Sequence, residues 1–164
     1  MSKSVHDFTA LTIDGTTKKL SDYSGRALLI VNVASQCGLT PQYTGLEELH
    51  ETYAARGLSV LGFPANEFGA QEPGSNEQIK DFCQTRFGVK FDMFAKVKVL
   101  GPGIDPLFAF LTSKDTNPDV AGDIKWNFNK FLVAKDGRVV ARFEPKVEPT
   151  SPEVKQAIEQ ALAR

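Results

Sequence analysis

Cysteine is scarce in this chain of 164 residues, which holds only Cys37 and Cys83. Two are too few for a disulfide-stapled secreted scaffold, and such sparse use is ordinary for a protein kept in reducing surroundings. An excess of one charge is also missing. Lys plus Arg number 19 against 20 Asp plus Glu, a net charge of −1, which gives no broad pull toward phosphate backbones or anionic lipid. Long hydrophobic runs are absent as well. The longest, residues 27–33, is interrupted by Asn32 and falls far short of the roughly 18 residues that span a bilayer. Residues 1–10 carry charges and no apolar core of the roughly 7–15 residues a secretory signal needs. These absences predict a cytoplasmic protein with no nucleic-acid partner and no stable membrane association. No repeat, low-complexity tract or compositional break divides the chain, so residues 1–164 are expected to form a single domain. With 41% hydrophobic residues, a chain of this length can bury about 70% of its unfolded surface.

What is present reads as an α/β protein. Residues 8–13 and 16–20 flank Asp14-Gly15, an N-terminal β-hairpin signal. Residues 27–33 are a nearly continuous β-prone run, the pattern of a strand covered on both faces. Thr40 is expected to cap a helix that starts at Pro41, presents Leu46, Leu49 and Tyr53 on one face and stops at Gly57. Residues 58–63 form a second strand, parallel to the first. A Gly- and Pro-containing loop, 64–74, then leads to Ser75, whose spacing from Gln78 predicts a capping box for a helix carrying Ile79, Phe82, Cys83 and Phe87. A short helix is expected over 106–111. Residues 131–133 and 139–143 flank Lys135-Asp136-Gly137, an antiparallel hairpin, and Ser151 caps a final amphipathic helix that begins at Pro152. This order matches a thioredoxin-like fold, a mixed central sheet with helices on both faces.

Cys37 lies between the carboxyl end of the first parallel strand and the amino end of the next helix, the edge where α/β sheets collect their ligands. Backbone N–H groups and the positive end of a helix dipole favour thiolate over thiol there. A nucleophilic cysteine needs that setting, whereas a structural cysteine belongs more naturally inside a strand or on a helix face. The fourth position of the turn is Thr40, so the turn holds no Cys-x-x-Cys dithiol. Residues 32–36 do not supply the Pro-x-x-x-Thr/Ser-x-x-Cys pattern of peroxiredoxins. Cys37, Cys83, His6 and His50 show no paired zinc spacing, so no metal or other cofactor is expected. His50 reads as a surface or helix-packing residue, and Lys96 and Lys98 as part of a solvated face. Periodicity alone puts Cys83 on the apolar side of its helix, as a buried thiol.

Four separated stretches occur in register: Asn32-Val33-Ala34-Ser35-Gln36-Cys37-Gly38-Leu39-Thr40, Gly62-Phe63-Pro64-Ala65-Asn66-Glu67-Phe68, Gln71-Glu72-Pro73-Gly74-Ser75 and Lys125-Trp126-Asn127-Phe128. Together they resemble the glutathione peroxidase family from about Phe8 to the C-terminus. The resemblance implies a catalytic tetrad of Cys37, Gln71, Trp126 and Asn127. In it the Cys37 thiolate attacks the O–O bond of a hydroperoxide, while two amides and an indole N–H donate to sulfur and oxygen. Relatives that use thioredoxin rather than glutathione carry a resolving cysteine in a segment similar to that around Cys83. The resemblance thus implies a Cys37 sulfenic acid, a Cys37–Cys83 disulfide, and reduction by thioredoxin.

A disulfide needs Cα atoms within about 7 Å, so the helix from Ser75 is expected to unwind locally on oxidation. Three departures from the family pattern follow. Cysteine stands at position 37 where some relatives have selenocysteine, which leans toward thioredoxin. Ala65 occupies a position where many relatives have a further cysteine, and residues 112–123 lack the longer insertion that resembles a tetramer contact. The expected protein is a monomer or dimer acting on hydrogen peroxide and organic or lipid hydroperoxides. A redox relay that passes oxidation to a partner protein would use the same two thiols.

Overall fold

The apolar run around Leu28, Ile30 and Val31 is rich in branched residues that suit a strand buried on both faces. It forms the middle of the sheet in the computed structural model, which describes residues 4–164. A small antiparallel hairpin, β1 (Thr9–Leu11) and β2 (Thr17–Lys19), forms its own two-stranded sheet and is joined to the edge of the main one by a bridge between Thr12 and Phe94. Then come β3 (Ala27–Val33), α1 (Gln42–Tyr53), β4 (Leu58–Pro64), α2 (Asn76–Phe87), β5 (Asp92–Met93), α3 (Pro106–Thr112), β6 (Lys130–Val133), β7 (Val139–Phe143) and α4 (Pro152–Leu162). The spatial order is β5-β4-β3-β6-β7. Strands β3, β4 and β5 run parallel, whereas β6 and β7 are antiparallel additions.

Every residue of β3 is buried, and its side chains alternate between two cores. Leu29, Val31 and Val33 meet Leu46 and Leu49 of α1, Ile79 and Cys83 of α2, and Ile158 of α4. Leu28 and Ile30 meet Leu107, Phe108 and Leu111 of α3 on the opposite face. Helices therefore cover both faces of a mixed sheet, the thioredoxin-like arrangement expected from the element order. Because the sheet is parallel through β3 and β4, the loops leaving their carboxyl ends emerge side by side. Those loops carry Cys37 and Gln71.

The helix caps separate what spacing can and cannot reveal. Ser75 and Gln78 form the expected capping box, each side chain accepting from the other residue's backbone N–H. Thr40 does not cap α1. Pro41 precedes that helix without a side-chain bond, and the Thr40 hydroxyl is used in the turn around Cys37. Ser151 occupies the cap position of α4, but its hydroxyl makes no cap bond. The two-residue β5 escaped the sequence pattern because it depends on a neighbour. A Cβ on Gly62 of β4 would lie 2.7 Å from the Met93 sulfur, so glycine there leaves room for the Met93 side chain of β5.

Candidate active site

The Cys37 turn is closed by one hydroxyl. Thr40 Oγ1 accepts from the Cys37 N–H at 2.9 Å and donates to the Ala34 carbonyl at 2.8 Å, while the Thr40 N–H donates to the Cys37 carbonyl at 3.0 Å. The Leu39 N–H points back at the sulfur, donating to Cys37 Sγ at 3.3 Å. The donor to sulfur therefore comes from the turn before α1 rather than from the first turn of the helix. Cys37 is 7% exposed, so its thiol stands at the edge of the core.

The loop leaving β4 is zipped onto this turn. The Gln36 N–H donates to the Gln71 carbonyl at 3.0 Å, and the Ser35 N–H to Glu72 Oε1 at 3.1 Å. Asn66 Oδ1 accepts from the Glu72 N–H at 2.8 Å, and Lys96 Nζ donates to the Glu72 carbonyl at 2.8 Å. Lys96 is thus a brace for the loop and not simply part of a solvated face; Lys98 remains exposed. Glu72 has no exposed surface. Burial pushes its carboxyl up to about 7, against the opposing effects of the Ser35 hydrogen bonds and the Lys96 charge.

The third wall is the segment before β6. Asn32, the polar interruption in β3, holds it at three points. Its Nδ2 donates to the Trp126 carbonyl at 3.1 Å, its Oδ1 accepts from the Asn129 N–H at 3.1 Å, and its carbonyl accepts from the Phe128 N–H at 2.6 Å. Asn127 is buried, and its Nδ2 donates to Gln71 Oε1 at 3.0 Å. Trp126 stays 37% exposed, with its ring 6.0 Å from that of Phe68. A Cβ on Gly69, which has φ +69°, would meet the far edge of the Trp126 ring at 3.2 Å. Glycine there lets the indole lie over the loop that bears Gln71.

Among the described residues, two non-glycine residues have left-handed backbone, Ala70 at φ 51° and Phe128 at φ 65°. Each adjoins an expected site residue, Gln71 or Asn127. Such a conformation costs roughly 1–2 kcal/mol per residue, and it persists where surrounding contacts over-determine it. The two residues flank the pair of amides, Gln71 and Asn127, that are bonded to one another.

Gln71, Trp126 and Asn127 therefore share one neighbourhood, tied to the Cys37 turn through Gln36. Thiol, amides and an indole N–H on fixed backbone can stabilise a thiolate and a departing oxygen anion. An open cleft of about 410 Å³ runs from Ser35 and Gln36 past Glu72 to Ile79 and Phe82 of α2. The larger cleft, about 620 Å³, lies between the β1–β2 hairpin and α2, with Cys83 but not Cys37 among its lining residues. Among the described residues no group of three or more His, Cys, Asp or Glu side chains could hold a metal, and no helix is long and apolar enough to cross a membrane.

Cys83 sits on the inner face of α2, 1% exposed, in the apolar cluster that also contains Cys37; both thiols are free. Burial pushes its thiol up to about 11. The Tyr43 hydroxyl opposes that rise and the Glu72 charge adds to it. His50 packs its ring against Phe91 at 6.5 Å, a helix-packing residue. Asn32, Glu72 and Lys96 are the structural contributors that residue patterns missed. Asn32 alone left a signal, as the one polar residue in an otherwise apolar strand.

Comparison with known proteins bears on the family and the fold. The family model described as glutathione peroxidase matches residues 5–112. The chain is similar to the thioredoxin/glutathione peroxidase BtuE of Escherichia coli, 44% identical over 183 aligned positions that cover all of both chains. It is 49% identical to the hydroperoxy fatty acid reductase gpx1 of Synechocystis over 90% of each chain. The crystal structure of T. cruzi GPX1 superposes with a TM-score of 0.76 at 35% identity, covering 98% of this chain and 97% of that one. Solved thioredoxin-family proteins share the fold at identities that speak to fold alone. With a Cys37 turn, an amide pair and an exposed indole held on that fold, and with these matches, the chain belongs to the glutathione peroxidase family.

Proposed function

We propose that this peroxidase reduces hydroperoxides with Cys37 as the attacking thiol, Gln71, Trp126 and Asn127 as its donors, and Cys83 as the resolving thiol. The observation that carries the reading is the Gln71–Asn127 amide pair, whose Gln71 backbone is bonded to Gln36, the residue before Cys37, while the Cys37 sulfur receives the Leu39 N–H. The thiolate attacks one peroxide oxygen, so an S–O bond forms as the O–O bond breaks. The leaving alkoxide or hydroxide takes a proton, giving alcohol or water. Cys83 then attacks the sulfenic sulfur. An S–S bond forms, the S–O bond breaks, and hydroxide leaves with the thiol proton as water. A thioredoxin dithiol reduces the disulfide by exchange and is itself oxidised.

Thioredoxin is the preferred reductant in this reading because a second thiol, Cys83, is available in the same apolar cluster to resolve the Cys37 sulfenic acid once α2 opens. The Escherichia coli relative's name joins both reductants, and the Synechocystis relative's name supports a fatty-acid hydroperoxide as substrate. Thr116 and Asn117 donate to the Phe110 carbonyl of α3, and the Gly122 N–H to the Thr112 carbonyl, so residues 112–123 form a short connection without the longer insertion that resembles a tetramer contact, which favours a monomer or dimer. The test is peroxide consumption with thioredoxin, thioredoxin reductase and NADPH, beside the same assay with glutathione. Faster turnover with thioredoxin is expected. Stoichiometric oxidation without turnover on either reductant would point instead to a redox relay.

A further inference from the structure

Lysine is almost never fully buried unless its charge is paired. Lys130, the first residue of β6, has no exposed surface. Its Nζ donates to three carbonyls, those of Phe128 at 2.7 Å, Pro145 at 3.1 Å and Glu144 at 3.5 Å. An ammonium has three N–H donors, so the convergence of three acceptors matches it in number, and no neutral side chain of that length could serve all three. The acceptors lie on two segments of the fold. Phe128 is the left-handed residue next to Asn127, and Pro145 follows β7. The Pro145 carbonyl accepts a second bond, from Gln42 Nε2 at 2.8 Å, and Gln42 opens α1, the helix after the Cys37 turn.

We infer that Lys130 is a positioning residue for the peroxidase site: by gripping the Phe128 and Pro145 carbonyls together, it sets the Asn127 amide against Gln71 and ties that pair to α1. The inference rests on the proposed roles of Cys37, Gln71 and Asn127. It adds that the left-handed turn at Phe128 is held from both sides, by Asn32 at its N–H and by Lys130 at its carbonyl. Lys130 touches no reacting atom, so its whole effect on the chemistry passes through Asn127.

The test is a double-mutant cycle on the reduced full-length protein, read as the second-order rate of Cys37 oxidation by hydrogen peroxide. Lys130→Met should slow that step roughly tenfold, as expected for the loss of a charge-assisted hydrogen bond. Alkylation of Cys37 by iodoacetamide, which needs no donor from Asn127, should change by less than about twofold. In an Asn127→Ala background the further loss from Lys130→Met should vanish, because the residue it positions is gone. An equal slowing of both reagents, or effects that multiply in the double variant, would overturn the inference. Should Lys130→Met fail to fold, Gln42→Met enters the same cycle, with a loss of roughly threefold expected; an unchanged rate there would equally overturn it. Asn127→Ala oxidising at the wild-type rate would instead bring down the tetrad reading, and the inference with it. A slow Asn127→Ala beside an unaffected Lys130→Met would remove Lys130 alone.

Discussion

The two cysteines share one apolar cluster and differ in almost everything else. Cys37 sits in a turn fastened by Thr40, with an N–H aimed at its sulfur and two further loops zipped or pinned around it. Cys83 sits in the middle of a capped helix, its thiol pushed up to about 11 by burial. The first thiol is placed to react where it stands. The second is protonated and shielded at neutral pH, so it becomes a nucleophile only when its surroundings change. In the proposed cycle, reactivity at Cys37 comes from rigidity, and at Cys83 it requires that rigidity to be given up.

The contrast is broken most severely at Cys37. Cys37→Ser should lower peroxide consumption roughly a thousandfold or more with either reductant, measured in the coupled NADPH assay. Residual activity near wild type would remove the distinction between the thiols. Cys83→Ser should leave a protein that still consumes about one peroxide per chain but turns over with thioredoxin roughly a hundredfold more slowly. A trapping reagent for sulfenic acid should then label Cys37, which mass spectrometry would locate.

Glu72, which meets the Cys37 turn at Ser35 and acts electrostatically on Cys83, sharpens the comparison through pH. Its carboxyl ionises near 4.5 when unfolded and near 7 in the folded protein. Between those values the folded state binds more protons, so this group's contribution to stability is full below about 4.5 and falls as pH rises to about 7. The loss amounts to about 1–3 kcal/mol. Glu72→Gln keeps an acceptor for the Ser35 N–H and should flatten that slope in urea unfolding curves collected from pH 4.5 to 7. Lys130 acts in a separate window. Burial brings its ammonium from 10.5 down to about 7, against the charges of Glu148 and Glu144, so stability falls as pH drops from about 10.5 to about 7, and the three-donor ammonium that grips the carbonyls is the form present below about 7.

The smallest expected effect concerns strain. Ala70→Gly relieves a left-handed alanine at the cost of a freer unfolded chain, a net gain of about 0.5–1 kcal/mol. Thermal unfolding should show the gain. The rate of Cys37 oxidation should drop modestly as the Gln71 loop loosens, and a faster rate would show that the strain does not aim the amide.

Much of this organisation is legible in the residue order. The buried run of β3, the parallel β4, the Ser75–Gln78 capping box, α3 and the β6–β7 hairpin follow from periodicity and turn chemistry, which are local. The thiol, amides and indole were nameable because their motifs are distinctive. What holds them was not legible. Thr40 has the residue type and spacing of a helix cap, but its hydroxyl closes the Cys37 turn instead. Lys130 has no local pattern to mark it, because its acceptor at Pro145 and that carbonyl's second donor, Gln42, come from the segment after β7 and from α1. Glu72 and the left-handed Ala70 and Phe128 depend likewise on contacts between loops far apart in sequence. Local pattern predicts elements, while the bonds that orient a site are mostly non-local.

Amide exchange across α2, Asn76–Phe87, in the reduced protein and after one equivalent of peroxide tests the contrast between the thiols most directly. The account predicts markedly faster exchange there once Cys83 has paired with Cys37, with the Cys37 turn little changed. Equal protection of α2 in both states, in a sample shown by mass spectrometry to carry the disulfide, would contradict it.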